Sequence, residues 1–230
     1  MTEQVVQSLG RAIVSGKYPP QSIFQIADLC TEFKASRTVM REAVKTLTAK
    51  GLVTSRASVG SIVQDDLSWN LSDPDVLDWF LHAKGNLLPL IREFVDFRMG
   101  IEPKAAALAA KHGDEEKIAA IYAALDRMRA AELGEDNALD ADVDFHVAIL
   151  YASKNRFFIN MRHTIDVALH ISIRVTNRTK GVKLANVDDH QYIADQIKAG
   201  NADGARDAMR KLLAEAQKLL TGQVEIPSDL

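Results

Sequence analysis

The stretch SRTVMREAVKTLTAKG at 36–51 limits most sharply what this chain can become. Ser36 is an N-cap by residue type, because its hydroxyl can accept one of the orphan amide hydrogens of a first helical turn. Arg37, Arg41 and Lys45 then follow one turn apart, so cations line one face. Val39, Ala43, Val44 and Leu47 make an apolar back. Such a helix needs a small core beneath it and turns its basic stripe outward, in a form that a DNA groove admits. Gly51 supplies the residue type that most easily ends a helix.

The flanking residues extend this pattern. LVTSR and GSIVQ, separated by Ala57, Ser58 and Val59, read as two short strands with a basic tip at Arg56. Upstream, Val5, Val6, Leu9, Ile13 and Val14 mark the inner face of a helix over 3–15, which Gly16 stops. Tyr18-Pro19-Pro20 is a stiff turn. A second short helix spans 26–33, and Lys34-Ala35-Ser36 turns into the basic helix. The order helix, helix, turn, basic helix, hairpin is a winged helix-turn-helix over 1–66.

Beyond it the pattern changes. A linker over 67–79 is punctuated by Trp69, Asn70, Ser72, Asp73 and Pro74. Residues 80–223 read as six or seven helices with short links: 87–111 with Pro103 bending it, 115–133, 137–153, 156–177, 188–199 and 202–220. That is an all-helical bundle, and 224–230 is a loose tail. The fold class is mainly α. Charge divides along the same line. Residues 1–64 hold eight Lys or Arg against four Asp or Glu, a net +4 within a chain of net charge −3. The rest is therefore acidic. A basic unit fused to an acidic one suits a nucleic-acid reader joined to a regulatory partner.

Several classes are set aside. The lone cysteine, Cys30, permits no internal disulfide and reads as a small buried hydrophobe. No apolar run approaches the roughly 20 residues of a membrane span, and Met1-Thr2-Glu3-Gln4 begins no signal segment, so the expected location is the cytoplasm. GxSxG, HExxH and glycine-rich phosphate motifs are all missing. The rival reading is a metal-dependent hydrolase or lyase built on Asp142, His146 and His190. It leaves the basic head without a purpose.

The N-terminal segments SLGRAIVSGKYPP, ADLCTEFKASRTVMREAVKTL and GLVTSRASVGSIV resemble the GntR family of bacterial transcription regulators. DVDFHVAILYASKN at 142–155 and DDHQYIADQIKAGNADGARDAM at 188–209 resemble the helical sensing domain of its FadR-like subfamily. WNLSDPDVLDWFL and SIRVTNRTKG are similar to a branch that responds to sugar acids such as galactonate. The resemblance implies a homodimeric repressor of double-stranded operator DNA, controlled by a small carboxylate effector such as an aldonate.

It also implies roles for particular residues. Arg37, Thr38 and Arg41 would touch bases or phosphates, Lys45 phosphate, and Arg56, Ser58 and Gly60 of the wing the backbone or minor groove. The chain departs from the family where Ala27 replaces an arginine, where Phe24-Gln25-Ile26 replaces Pro-Ser-Glu, and where Ser58 replaces the first wing glycine. Asp142, His146 and His190 match three family ligands of a divalent metal such as zinc, while the fourth position is Leu212. The alternative is a metal-free pocket whose imidazoles donate hydrogen bonds to an anion. Arg98 is implied as a carboxylate anchor, with Glu102, four residues on, as the competing partner. His170, Arg174 and Asn177 share one helical face, either lining the effector cavity or facing solvent or a second subunit.

Overall fold

The computed structural model describes residues 1–56, 59–83, 88–180 and 186–221, except the side chains of 171, 174–180, 219 and 221. Its contacts form two compact units, Met1–Gly85 and Asn86–Leu230.

The first unit contains α1 (Thr2–Val14), β1 (Ile23–Phe24), α2 (Ile26–Glu32), α3 (Arg37–Ala49), β2 (Val53–Arg56), β3 (Gly60–Val63) and α4 (Pro74–Leu81). The expected inner face of α1 is buried: Val5, Val6, Leu9, Ile13 and Val14 all lie in the core. Ser36 caps α3 by accepting from the Val39 amide at 3.3 Å. Behind it, Met40, Ala43, Val44 and Leu47 are buried. At its other end Gly51 takes φ +82°, and a Cβ there would meet the Ser68 carbonyl at 2.3 Å. The hairpin is antiparallel, pairing Val53 with Val63 and Arg56 with Gly60. It is joined by β1 in the order β1-β3-β2, a third strand not read from the sequence because two residues carry no periodicity.

Two expectations need correcting in this unit. The stretch 67–79 is expected to be linker, yet α4 begins within it and packs on the core of the first unit. Asp73 caps α4 through the Asp75 and Val76 amides, and Pro74 begins the helix. Val76 and Trp79 are buried in the core of the first unit. Trp79 lies against Gly10 of α1, where a Cβ would come within 2.3 Å of the indole, and its Nε1 donates to Gln7 Oε1 at 2.6 Å. Lys50 holds both Asp73 and Asp75, at 2.7 and 2.8 Å. Cys30 is half-buried rather than buried.

The second unit is a bundle of α5 (Leu88–His112), α6 (Glu115–Glu132), α7 (Ala138–Ala152), α8 (Arg156–Asn160), α9 (Arg162–Lys180), α10 (Val187–Lys198) and α11 (Ala202–Thr221). Asp114, Asn137, Asn155 and Asn186 cap α6, α7, α8 and α10 through backbone amides. The helix expected over 156–177 is divided at Met161 into α8 and α9. Pro103 lies inside α5. Ala105, Ala106, Ala109 and Ala110 form a buried small-residue face on α5, which packs against α11 and α7. Into this core α5, α7 and α10 bring five buried ionisable residues: Arg98, Glu102, Asp142, His146 and His190. The mainly helical fold is as expected. No helix among the described residues is long and apolar enough to cross a membrane.

Candidate functional site

Two constellations carry chemistry, one in each unit. In the head, Arg37, Thr38, Arg41 and Lys45 are all exposed along α3. Arg41 and Lys45 line a groove of about 660 Å³ whose other wall is Arg56, Gly60 and Ser61 of the hairpin. Three cations thus share one depression. Among the described residues, no carboxylate lies within ion-pair distance of Arg37, Arg41, Lys45 or Arg56, whereas Lys17 and Lys50 are paired with acids. An unpaired cationic groove attracts phosphate, and each contact made with DNA releases counterions. Ala27 is exposed on α2 and offers no charge there. Ser58 lies outside the described residues.

In the bundle, Asp142 and His146 stand one turn apart on α7 and meet His190 from α10. One ligand atom of each lies within 4.8 Å of the others, and the three residues are 2 to 4 % exposed. The two imidazoles are locked from behind. His190 Nδ1 lies 2.7 Å from the Asn186 carbonyl, which can only accept, so the proton sits on Nδ1. His146 Nδ1 lies 2.7 Å from Glu102 Oε2, and the same reasoning applies. His190 Nε2 faces Asp142 Oδ1 at 3.2 Å, while His146 Nε2 lies 3.4 Å from the same oxygen and 3.3 Å from Arg98 Nη2. Despite that closeness, Asp142 Oδ1 and His190 Nε2 are buried without a hydrogen bond. A buried carboxylate facing two imidazoles is matched by positive charge, either protons on the rings or a metal ion that displaces them. One Asp oxygen and two imidazole nitrogens, each with its other nitrogen engaged, form a donor set that fits a borderline divalent ion. Three protein ligands leave a coordination position for another oxygen.

The charges around this cluster are strongly coupled. Burial would raise the pKa of Asp142, but the facing charge of His190 and the contact with His146 outweigh it and hold the carboxyl well below its usual range. Burial likewise opposes ionisation of Glu102, and the charges of Arg98 and His146 overcome it, bringing that pKa to about 2. His146 is raised: burial works against its charged form, and Glu102 reverses the balance.

Arg98 is not a free anchor for a carboxylate. Its Nε donates to Glu102 Oε1 at 2.5 Å and its Nη2 to Oε2 at 3.2 Å, both residues being buried. The i, i+4 spacing pointed to this pair. The bond from His146 to Glu102, 44 positions away, had no local signal. His170 is half-buried between Asp140, 3.1 Å from its Nε2, and Asp166, 3.2 Å from its Nδ1. Burial opposes its charged form, but the bonds to Asp166 and Asp140 raise its pKa. Among the described residues, no hydrogen bond or ion pair joins His170 to the buried cluster. The side chains of Arg174 and Asn177 lie outside them. Leu212 is partly buried against the bundle core and supplies no ligand.

Comparison with known proteins agrees with both halves. Residues 1–63 match the bacterial regulatory proteins of the gntR family, and residues 93–215 match the FCD domain. The chain is 31 % identical over 224 residues to the galactonate operon transcriptional repressor of Escherichia coli, covering 95 % of this chain and 96 % of that one. It is also 31 % identical over 217 residues to the E. coli transcriptional regulator YieP, covering 93 % of each. Among solved structures, Lar of Listeria monocytogenes aligns with a TM-score of 0.57 at 22 % identity, over 97 % of this chain and 98 % of that one. A Streptococcus agalactiae GntR protein aligns with a TM-score of 0.53 at 20 % identity, over 95 % and 99 %. These two structures bear on the fold alone. With a cation-lined helix-turn-helix head followed by an FCD sensing domain, the chain belongs to the GntR family of bacterial regulatory proteins and is a regulator of transcription, not an enzyme.

Proposed function

We propose that this chain is a homodimeric repressor whose operator affinity is lowered by a small hydroxy-carboxylate, bound at a divalent metal held by Asp142, His146 and His190. The observation that carries the sensing half is the buried pair Asp142 Oδ1 and His190 Nε2, 3.2 Å apart with no hydrogen bond. A metal bound there supplies a Lewis-acidic position for an incoming oxygen. The protein's own residues do the rest. Glu102 and the Asn186 carbonyl hold the two imidazoles in the ligating tautomer. Arg98 neutralises Glu102.

The sugar-acid reading is supported by the E. coli galactonate operon repressor, at 31 % identity. A regulatory protein named for an L-lactate dehydrogenase operon, also in E. coli, is 31 % identical over 192 residues. Galactonate and lactate are both 2-hydroxy acids, so the shared chemistry is a carboxylate with a neighbouring hydroxyl. In the head, Arg37, Thr38, Arg41, Lys45, Arg56, Ser58 and Gly60 are proposed to meet DNA. Two heads joined in one dimer raise the effective concentration of the second contact. The effector then shifts the population toward a dimer geometry that no longer matches two half-sites.

The test is a thermal-shift screen of the zinc-loaded chain against aldonates and uronates, with L-lactate as the comparison. An aldonate should raise the melting temperature, and only with metal present. If lactate alone raises it, the sugar-acid assignment fails. If an aldonate acts equally after chelation, the metal assignment fails.

A further inference from the structure

The residue at the start of α2 has a task that its position does not explain. Gln25 is the N-cap of α2, with φ −95° and ψ 140°, yet its side chain makes no capping hydrogen bond. Glutamine is a poor cap, since its reach overshoots the N2 and N3 amides that Ser or Asp serve. Its Nε2 instead donates to the carbonyl of Val59 at 2.8 Å. Val59 belongs to the turn of the wing, where its own amide donates to the Arg56 carbonyl at 3.2 Å. The next residue, Gly60, takes φ +115° and passes so close to the β1–α2 junction that a Cβ would lie 2.6 Å from the Phe24 carbonyl. The wing therefore rests on this junction, and Gln25 is its side-chain tie.

The consequence lies across the groove. Arg56 on the wing side faces Arg41 and Lys45 of α3, and Gln25 itself does not line that groove. We infer that Gln25 is a positioning residue for DNA binding: it fixes the wing turn against α2, and so fixes where Arg56 stands relative to the recognition helix. α2 forgoes a side-chain cap in favour of a tie that spans 34 residues. A residue kept only for helix stability would cap instead.

The experiment uses the full chain and a duplex that the wild type has selected from a random pool. Gln25→Met keeps the length and removes the donor, and it should weaken binding about threefold to tenfold, the range of one lost hydrogen bond. Gln25→Ser also loses the tie but gains a capping hydroxyl, so its affinity should fall while its melting temperature holds or rises. Arg56→Ala should then cost a smaller factor in the Gln25→Met background than in the wild type, because the wing is already displaced. The inference is overturned if Gln25→Met binds within about twofold of the wild type, the lower end of one hydrogen bond's worth. It is equally overturned if Arg56→Ala costs the same factor in both backgrounds, or if the affinity of Gln25→Ser falls only in step with its melting temperature.

Discussion

Glu102 is the residue on which the buried cluster of the bundle leans. It is 1 % exposed, accepts two bonds from Arg98 and accepts a third from His146 Nδ1–H. Replacing it with glutamine leaves the Arg98 guanidinium buried opposite a neutral amide, which costs about 3–5 kcal/mol for a pair broken on one side. The acid limb follows from its titration. Its folded pKa is about 2 against an ordinary 4.5, so its contribution is fully present above about pH 4.5 and drains away as pH falls towards 2. Urea unfolding at pH 6 should therefore separate wild type from Glu102→Gln widely, and at pH 3 the gap should have narrowed. A gap as wide at pH 3 as at pH 6 would mean that the carboxylate charge is not what stabilises. Sequence spacing showed Arg98 and Glu102 as a pair, and Asp142 and His146 as neighbours on one face. It could not show that the two pairs meet, because that depends on how α5 and α7 pack rather than on either helix alone.

At the scale of elements, helices with strong end signals were readable and short or borrowed ones were not. Ser36 announces a start by residue type, and it does cap its helix. β1 holds two residues and exists only because β3 offers it an edge. α4 has a clear cap in Asp73 and an apolar face, but which core it joins is a tertiary matter. Its apolar residues read equally well as the start of the bundle. Gly10 decides the outcome, because only a residue without a Cβ lets Trp79 lie flat on α1. Gly10→Ala should destabilise the first unit by about 1–3 kcal/mol, as overpacking does, and guanidinium unfolding followed by tryptophan fluorescence would measure it. An unchanged midpoint would show that Trp79 has room to move. α3 makes the opposite case, since its outward face is built for a partner outside the chain. Arg41→Ala removes a cation with no acid partner among the described residues, so it should leave the melting temperature unchanged. It should weaken specific DNA binding by about 1–3 kcal/mol, as read by fluorescence anisotropy. Equal affinity would remove Arg41 from the interface.

Over the whole molecule, a net charge of −3 hides a positive head and an acidic remainder. That division, with the order of the motifs, makes the two-part organisation legible in the sequence. The border was less legible: compact contacts place it after Gly85, past the stretch that read as a linker. The effector specificity is the least legible, and the side chains of Arg174 and Asn177 lie outside the described residues. In the proposed function, an oxygen ligand at the Asp142 cluster controls what the cations of the head can hold. The most direct measurement is operator-duplex anisotropy for the zinc-loaded wild type and for Asp142→Asn, with and without the aldonate that raises the wild-type melting temperature. The wild type should lose about 5- to 150-fold in operator affinity when the aldonate is added, the ordinary range of allosteric coupling. Asp142→Asn should bind the operator as tightly as the free wild type and show no response. A variant that still releases DNA as the wild type does would contradict the account.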